Sequence, residues 1–378
     1  MYYFDNSATT KPSKDNLEII NKVAIDFFGN PSSLHLLGEK SKQLLEQARK
    51  QVADLLGYES QEVFFTSSGT ESNNWVVQNL LPMLKNIHPD KTEVIISAGE
   101  HASMYTQFES LEEMGFDLKI AKLTEKGSID LDYLKSILSP KTLLLSTVAV
   151  NSEVGSIQPF EKIEQLLKDY PQLIWHTDAV QAVTTQMNLI RNPRIDILSL
   201  SGHKFHSLRG VGILAKRDRV ENAIMLYGGG QEKGLRSGTE PLALIVGTAR
   251  ALRKASDLQE QVNQKLSQYR NQIIKTLEKN NWQVYAKEGA SNHIICASFK
   301  KIPGEVMVHA LEEKDIYVST TSACSSRRSR QHATLLAMGI SQSQAESAIR
   351  ISMGQTTTQD EVTYLCEKLD EISYSFGL

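Results

Sequence analysis

Ser201-Gly202-His203-Lys204 sets a primary amine beside a hydroxyl, a glycine and an imidazole, between the strand-like runs 195–200 and 211–215. A lysine at a strand end can form a Schiff base with a carbonyl compound, although such a tetrapeptide also suits an ordinary loop. Asp178-Ala179-Val180-Gln181 begins 26 residues before Lys204, and it too follows a strand-like run, 173–177. A lysine that can hold an aldehyde and a carboxylate that can keep a pyridine nitrogen protonated are the two parts pyridoxal phosphate requires.

Other segments carry chemistry of lower specificity. Thr66-Ser67-Ser68-Gly69-Thr70-Glu71 follows the strand-like run 62–65, and Ser68 with Glu71 fits a capping box opening a helix. Free N–H groups and the positive end of a helix there suit a phosphate, and an ordinary N-cap reads the same way. Gly29-Asn30-Pro31-Ser32-Ser33 is turn-rich, and Asn30 and His35 fit loop hydrogen bonding. Gly228-Gly229-Gly230 with Arg236-Ser237-Gly238-Thr239 reads as a loop or a second anion contact.

The elements that must position these groups alternate. A helix is predicted over 38–56, where Leu44, Leu45, Ala48, Val52 and Leu55 recur at helical steps and Gly57 serves as C-cap. Strands are predicted at 93–97, 118–123 and 143–150, with helices at 103–114 and 130–138. Long apolar strands separated by helices imply a mostly parallel, doubly wound sheet in an α/β fold. Ligands of such sheets sit beyond the carboxyl ends of the strands, which is where His101, Asn151, Asp178 and Lys204 all fall. A long helix over 252–277 connects to a region of different texture. There short strands (293–299, 316–319) mix with helices (304–313, 358–376), as in a smaller α+β domain. The expected division is a large domain at 16–255 and a small one made of 1–15 and 256–378.

Composition narrows the class. With 378 residues the chain exceeds one ordinary core, and 40% hydrophobic with 22% charged residues is the balance of a soluble globular protein. A net charge of −3 gives no reason to expect nucleic acid or an anionic membrane as partner. No apolar run approaches the ~20 residues of a membrane span, and no secretion signal precedes Asp5. Three cysteines cannot all pair and none has metal-ligand spacing, which points to a reducing, cytoplasmic setting. Cys296 and Cys366 lie on apolar faces and read as inert core thiols. Cys324 sits in a polar, basic segment with Arg327, Arg328 and Arg330, where cationic neighbours favour the thiolate.

Taken in order, these segments resemble the NifS/IscS-like cysteine desulfurases of the class V aminotransferase superfamily, which have the type I fold of pyridoxal phosphate enzymes. The matching motifs are Asp5-Asn6-Ser7-Ala8-Thr9-Thr10, Gly29-Asn30-Pro31-Ser32-Ser33, 66–71, Glu100-His101, 178–181, 201–204, 236–239, Ser322-Ala323-Cys324 and Arg350. The resemblance implies conversion of L-cysteine to L-alanine, with the sulfur held as a persulfide on Cys324 and passed to an acceptor protein. Lys204 would hold the cofactor as a Schiff base and move protons, and His101 would stack on the ring as part of the catalytic set. Asp178 would pair with the pyridine nitrogen and Gln181 with the phenolic oxygen. Gly69, Thr70, Ser201 and His203 would cradle the phosphate, joined by Thr239 from the other subunit of a homodimer. Arg350 would clamp the substrate carboxylate, with Asn30, Asn151 and Ser152 around the substrate.

The 26 residues from Cys324 to Arg350 are similar to the long-loop branch of the family, whose cysteine segment is expected to be mobile. The run 318–326 looks like members that feed tRNA or thiamine thiolation as well as iron–sulfur cluster assembly. Three segments depart from the pattern. Ser152 stands where the family has a second asparagine, which leaves substrate affinity open. Ser67-Ser68-Gly69-Thr70 keeps the backbone cradle in altered form. Residues 205–210 lack the usual Gly-Pro-Lys-Gly. The alternatives are a selenocysteine lyase, a class V aminotransferase and a non-catalytic paralogue. Cys324 counts against the aminotransferase, and retention of Lys204, Asp178 and Cys324 counts against the paralogue.

Overall fold

In the computed structural model, residues 1–300, 302–321 and 333–377 are described. Among the described residues thirteen strands form three sheets. A two-stranded parallel pair joins β1 (Tyr2–Tyr3) to β11 (Ile316–Tyr317). The largest sheet contains β2 (Val63–Thr66), β3 (Glu93–Ser97), β4 (Asp117–Ala121), β5 (Thr142–Val148), β6 (Ile174–Asp178), β7 (Ile197–Ser201) and β8 (Gly212–Lys216). Their spatial order is β2-β8-β7-β6-β5-β3-β4, and only β8 runs against the others. The carboxyl ends of β2, β3, β5, β6 and β7 therefore share one edge.

This sheet is covered on both sides, which explains why its central strands are buried along their whole length. Successive residues alternate between two cores. Ile95, Leu145, Trp175 and Leu198 face the helix Leu36–Leu56 and the first half of Leu242–Lys279. Val94, Leu144, Ile174 and Ile197 face Trp75 to Leu84. Burying each such aliphatic side chain contributes roughly 1.5–3 kcal/mol. The helix Leu36–Leu56 ends as its sequence predicts, at Gly57 with φ 75°.

The four-stranded antiparallel sheet has the order β12-β13-β10-β9, from β9 (Gln283–Tyr285), β10 (Ile294–Ser298), β12 (Ser319–Thr320) and β13 (Ala348–Ser352). Ile349 and Ile351 join a separate core with Phe4, Leu266, Ile273 and Leu365. Their neighbour Arg350 therefore points to the opposite face, where its register partner Cys296 belongs to the core of the large sheet. Cys296 and Cys366 are both free and buried, and burial pushes both thiols up.

Two expected helices differ. The segment predicted as a helix over 103–114 splits into Ala102–Tyr105 and Phe108–Glu113. The Gln107 side chain donates to the Ser103 carbonyl at 2.5 Å, and its own N–H bonds Met104 O instead, which interrupts the helical ladder. The long connector begins at Leu242, ten residues before its predicted start. Its first turns are apolar on most sides because they lie within the large core, so no amphipathic period marks them. Among the described residues no helix is long and apolar enough to cross a membrane.

Candidate active site

The cleft lies on the edge where the strands end. β6 ends in Asp178, and β7 ends in Ser201, followed by the single turn Gly202–Lys204 that carries the lysine. β3 leads to Glu100 and His101, and β2 leads to Ser68, Gly69 and Thr70. Arg350 arrives from β13 of the small sheet, and Ser7 from the N-terminal segment.

Asp178 is buried and doubly bonded: Val180 N–H donates to Oδ1 at 3.0 Å and Asn73 Nδ2 to Oδ2 at 2.8 Å. Asn73 also donates to Ser103 Oγ at 2.8 Å, and Ser103 Oγ lies 3.0 Å from His101 Nδ1. Beneath this line runs a second polar chain. Ser146 Oγ donates to Glu100 Oε1 at 2.9 Å and lies 2.8 Å from His176 Nδ1, while His176 Nε2 is 3.1 Å from Ser199 Oγ. Burial, with the Asp178 charge adding to it, pushes Glu100 up to about 8, and burial lowers His176 to about 4.

The cations of the cleft are held by the N-terminal segment. Lys204 Nζ donates to Ser7 O at 2.5 Å and Ala8 O at 2.9 Å, and Gln181 Nε2 shares Ser7 O at 2.9 Å. His203 Nδ1 is 3.1 Å from Thr9 Oγ1, and Thr10 Oγ1 donates to His203 O at 2.8 Å. Burial and the charges of Lys204 and Arg209 lower His203 to about 4, so it is neutral near pH 7. Arg350 is buried and donates to Asp5 Oδ1 and to the Ser152 carbonyl, both at 2.9 Å.

These groups fit pyridoxal phosphate. Asp178 offers a fixed acceptor at the base, Lys204 an amine, and the first turn after Ser68 offers N–H groups that lack helical partners. The cradle has no room for a side chain at Gly69, since a Cβ there would come within 2.8 Å of Val180 Cγ2. Ser7 Oγ and Asn73 Oδ1, which belong to cleft-lining residues, are buried without hydrogen-bond partners.

Of the residues singled out in the sequence, Gly69, Thr70, His101, Ser152, Asp178, Gln181, Ser201, His203, Lys204 and Arg350 line this one cleft. Three others do not. Asn151 is committed to a buried turn, accepting from Glu153 N–H and Val154 N–H and donating to Gly99 O and Thr334 Oγ1. Asn30 is exposed and accepts from Ser32 N–H. Thr239 is exposed beyond the cleft. Cys324 lies outside the described residues. The predicted capping box is half present. Ser68 Oγ accepts from Glu71 N–H, while the Glu71 carboxylate binds Ser67 and Arg236 instead of Ser68 N–H.

Sequence reasoning missed Asn73 and Ser103, and it named Ser7 and Val180 only within their motifs, with no role of their own. Asn73 had a signal, since it lies three residues after Thr70 and four after Gly69 and so shares their helix face. The carbonyls of Ser7 and Ala8 had none, because a backbone acceptor is the same at every position.

A strand-end lysine and a buried carboxylate meeting in one cleft at the edge of a mostly parallel sheet are the pair that the class of pyridoxal phosphate-dependent proteins requires. The chain belongs to the aminotransferase class-V family, whose sequence profile matches residues 2–365. It is 40% identical over 387 aligned residues to the NifS/IcsS protein homolog of Lactobacillus delbrueckii subsp. bulgaricus, covering 100% of this chain and 98% of that one. It is 35% identical over 373 residues to the cysteine desulfurase IscS of Methanosarcina thermophila, covering 98% and 91% of the two chains. Among solved structures, a NifS-like protein superposes with a TM-score of 0.91 at 33% identity over 99% of each chain.

Proposed function

We propose that the protein is a pyridoxal phosphate-dependent cysteine desulfurase. It converts L-cysteine to L-alanine and passes the sulfur to an acceptor protein. The observation that carries this reading is the meeting of Lys204, Asp178 and Arg350 in one cleft, in a chain matched almost end to end by a relative named for that activity. When bound, the cofactor supplies an electron sink for the substrate carbon.

The chain's own groups have distinct tasks. Lys204 anchors the cofactor aldehyde and serves as the amine that takes and returns a proton at the substrate carbon. Asp178, fixed by Asn73 and Val180, would hold a proton on the ring nitrogen, and Gln181 would bond the phenolic oxygen. Gly69, Thr70, Ser201 and His203 would hold the phosphate, and His101 would offer its face to the ring. Arg350 turns from Asp5 and the Ser152 carbonyl to the substrate carboxylate, a group its planar fork matches. The Cys324 thiolate forms an S–S bond to the substrate sulfur as the carbon–sulfur bond breaks. Cysteine and the enzyme thiol thereby become alanine and an enzyme persulfide.

Residues 16–255 form the cofactor-binding domain, and 1–15 with 256–378 form the smaller domain that carries Cys324. In a homodimer, Thr239 of each subunit, exposed in the single chain, completes its partner's phosphate site. The acceptor is a scaffold for iron–sulfur clusters or a carrier for tRNA or thiamine thiolation, in the reducing cytoplasm. The decisive test is alanine and sulfide release from L-cysteine with a thiol reductant, comparing the parent with Cys324→Ala. Both products from the parent and neither from the variant are expected. Undiminished turnover by the variant rules out Cys324 as the sulfur acceptor.

A further inference from the structure

The bonds around Asn73 fix more than the position of Asp178. Asn73 Nδ2 lies 2.8 Å from Asp178 Oδ2 and 2.8 Å from Ser103 Oγ. An amide nitrogen has two hydrogens and no acceptor lone pair, so both oxygens accept from it. The opposite amide orientation would set a carbonyl oxygen against the carboxylate, so Asp178 decides which way Asn73 points. The Ser103 hydroxyl accepts from Asn73 with one lone pair and keeps its hydrogen for His101 Nδ1, 3.0 Å away, if that nitrogen is bare. The Ser103 backbone N–H donates to the same nitrogen at 3.2 Å, as His101 caps the helix Ala102–Tyr105. Nδ1 thus faces two donors, and the backbone N–H cannot turn away from a proton placed there.

We propose that Ser103, oriented by Asn73 and Asp178, is a positioning residue that locks His101 as a neutral imidazole with its hydrogen on Nε2. Neither ring nitrogen then has a lone pair open to a substrate proton: Nδ1 is occupied by Ser103, and Nε2 carries the hydrogen. His101 serves as a stacking face and an N–H donor, and the Lys204 amine is the base of the cleft. Asp178 and Lys204 are the charged groups acting on the ring; burial lowers its pKa, Asp178 opposes this and Lys204 adds to it. Only this catalytic consequence rests on the proposed desulfurase function. The tautomer itself follows from the hydrogen bonds.

The test is a two- and three-bond 1H–15N correlation spectrum of the full chain labelled with 15N-histidine, with and without added pyridoxal phosphate. The His101 signals are those absent from His101→Gln. The expected result at neutral pH is a protonated Nε2 and a bare Nδ1 in both forms. In Ser103→Ala the Nδ1 resonance is expected to move downfield as it loses one of its two donors, and Ser103→Thr restores it. A protonated Nδ1 or a cationic ring in the parent overturns the lock, and an unchanged spectrum in Ser103→Ala overturns the part given to the hydroxyl. Cysteine turnover is assayed on the same samples. A protonated Nδ1 with normal alanine release defeats the lock and leaves the desulfurase reading standing. A bare Nδ1 without alanine release does the reverse.

Discussion

On the large-sheet side of the cleft, Asp178, Asn73, Ser103 and His101 are joined by side-chain bonds among residues fixed at strand ends and helix starts. Where the N-terminal segment closes the cleft, Lys204 from the end of β7 rests on the carbonyls of Ser7 and Ala8, while Arg350 from the small sheet rests on Asp5 and the Ser152 carbonyl. The first set orients an acceptor that a ligand adds to without displacing anything. The second pairs cations with oxygens that an aldehyde or a carboxylate can replace. The difference separates a wall preorganised by the fold from one whose cations exchange partners on binding.

Removing a cation should therefore cost more than any change behind the acidic wall. Lys204→Ala is expected to abolish alanine release and the visible absorbance of the lysine-bound cofactor, read by assay and spectrum on one sample. Residual cofactor-dependent turnover would falsify the Schiff-base assignment. Arg350→Ala removes the charged donor pair proposed for the substrate carboxylate, worth about 2–5 kcal/mol, and is expected to raise KM by roughly 30-fold or more. The effect on kcat is expected to be smaller, and steady-state kinetics separates the two. An unchanged KM would mean that another group binds the carboxylate.

How much of each wall was legible in the sequence follows the same division. Lys204, Asp178 and His101 follow apolar runs, so their place on the strand-end edge could be read from pattern alone. Arg350 alternates with Ile349 and Ile351 in a five-residue strand, which sets it on the opposite face but gives it no task, and only family resemblance identified its role. Asn73 and Ser103 were hidden because a polar residue near a helix start reads first as solvated or capping. The grip of the N-terminal segment on Lys204 was invisible, since carbonyl oxygens bear no sequence signature, and Asp5, whose carboxylate holds Arg350, stood out only as part of its motif. Asn151 shows the converse: a residue marked by its motif whose side chain holds the turn that presents Ser152.

Ser152 offers a finer test of the exchangeable wall. Its carbonyl holds Arg350, and its hydroxyl stands where the family's motif has an amide. Ser152→Asn keeps the carbonyl and adds a donor of longer reach, so KM for cysteine is expected to fall by about threefold, roughly one added hydrogen bond. A rise in KM would show that the cleft here is shaped around the smaller side chain.

The smallest effect on turnover is expected behind the acidic wall, at Glu100. Burial, reinforced by Asp178, raises this carboxyl to about 8, against a usual value near 4.5. Between those values the folded protein holds a proton that the unfolded chain has released. The stabilising contribution is therefore complete below about pH 4.5 and is lost as pH rises through about 8. Glu100→Gln keeps the shape and cannot ionise. Its melting temperature is expected to stay close to the parent's at pH 5 and to exceed it at pH 9, with turnover at pH 7 within about threefold. Thermal unfolding from pH 5 to 9 checks this. Parallel curves would mean that Glu100 is ionised throughout, with two carboxylate charges behind the ring. Divergent curves mean that Glu100 is protonated in the folded protein at neutral pH, so that it adds no charge beside Asp178.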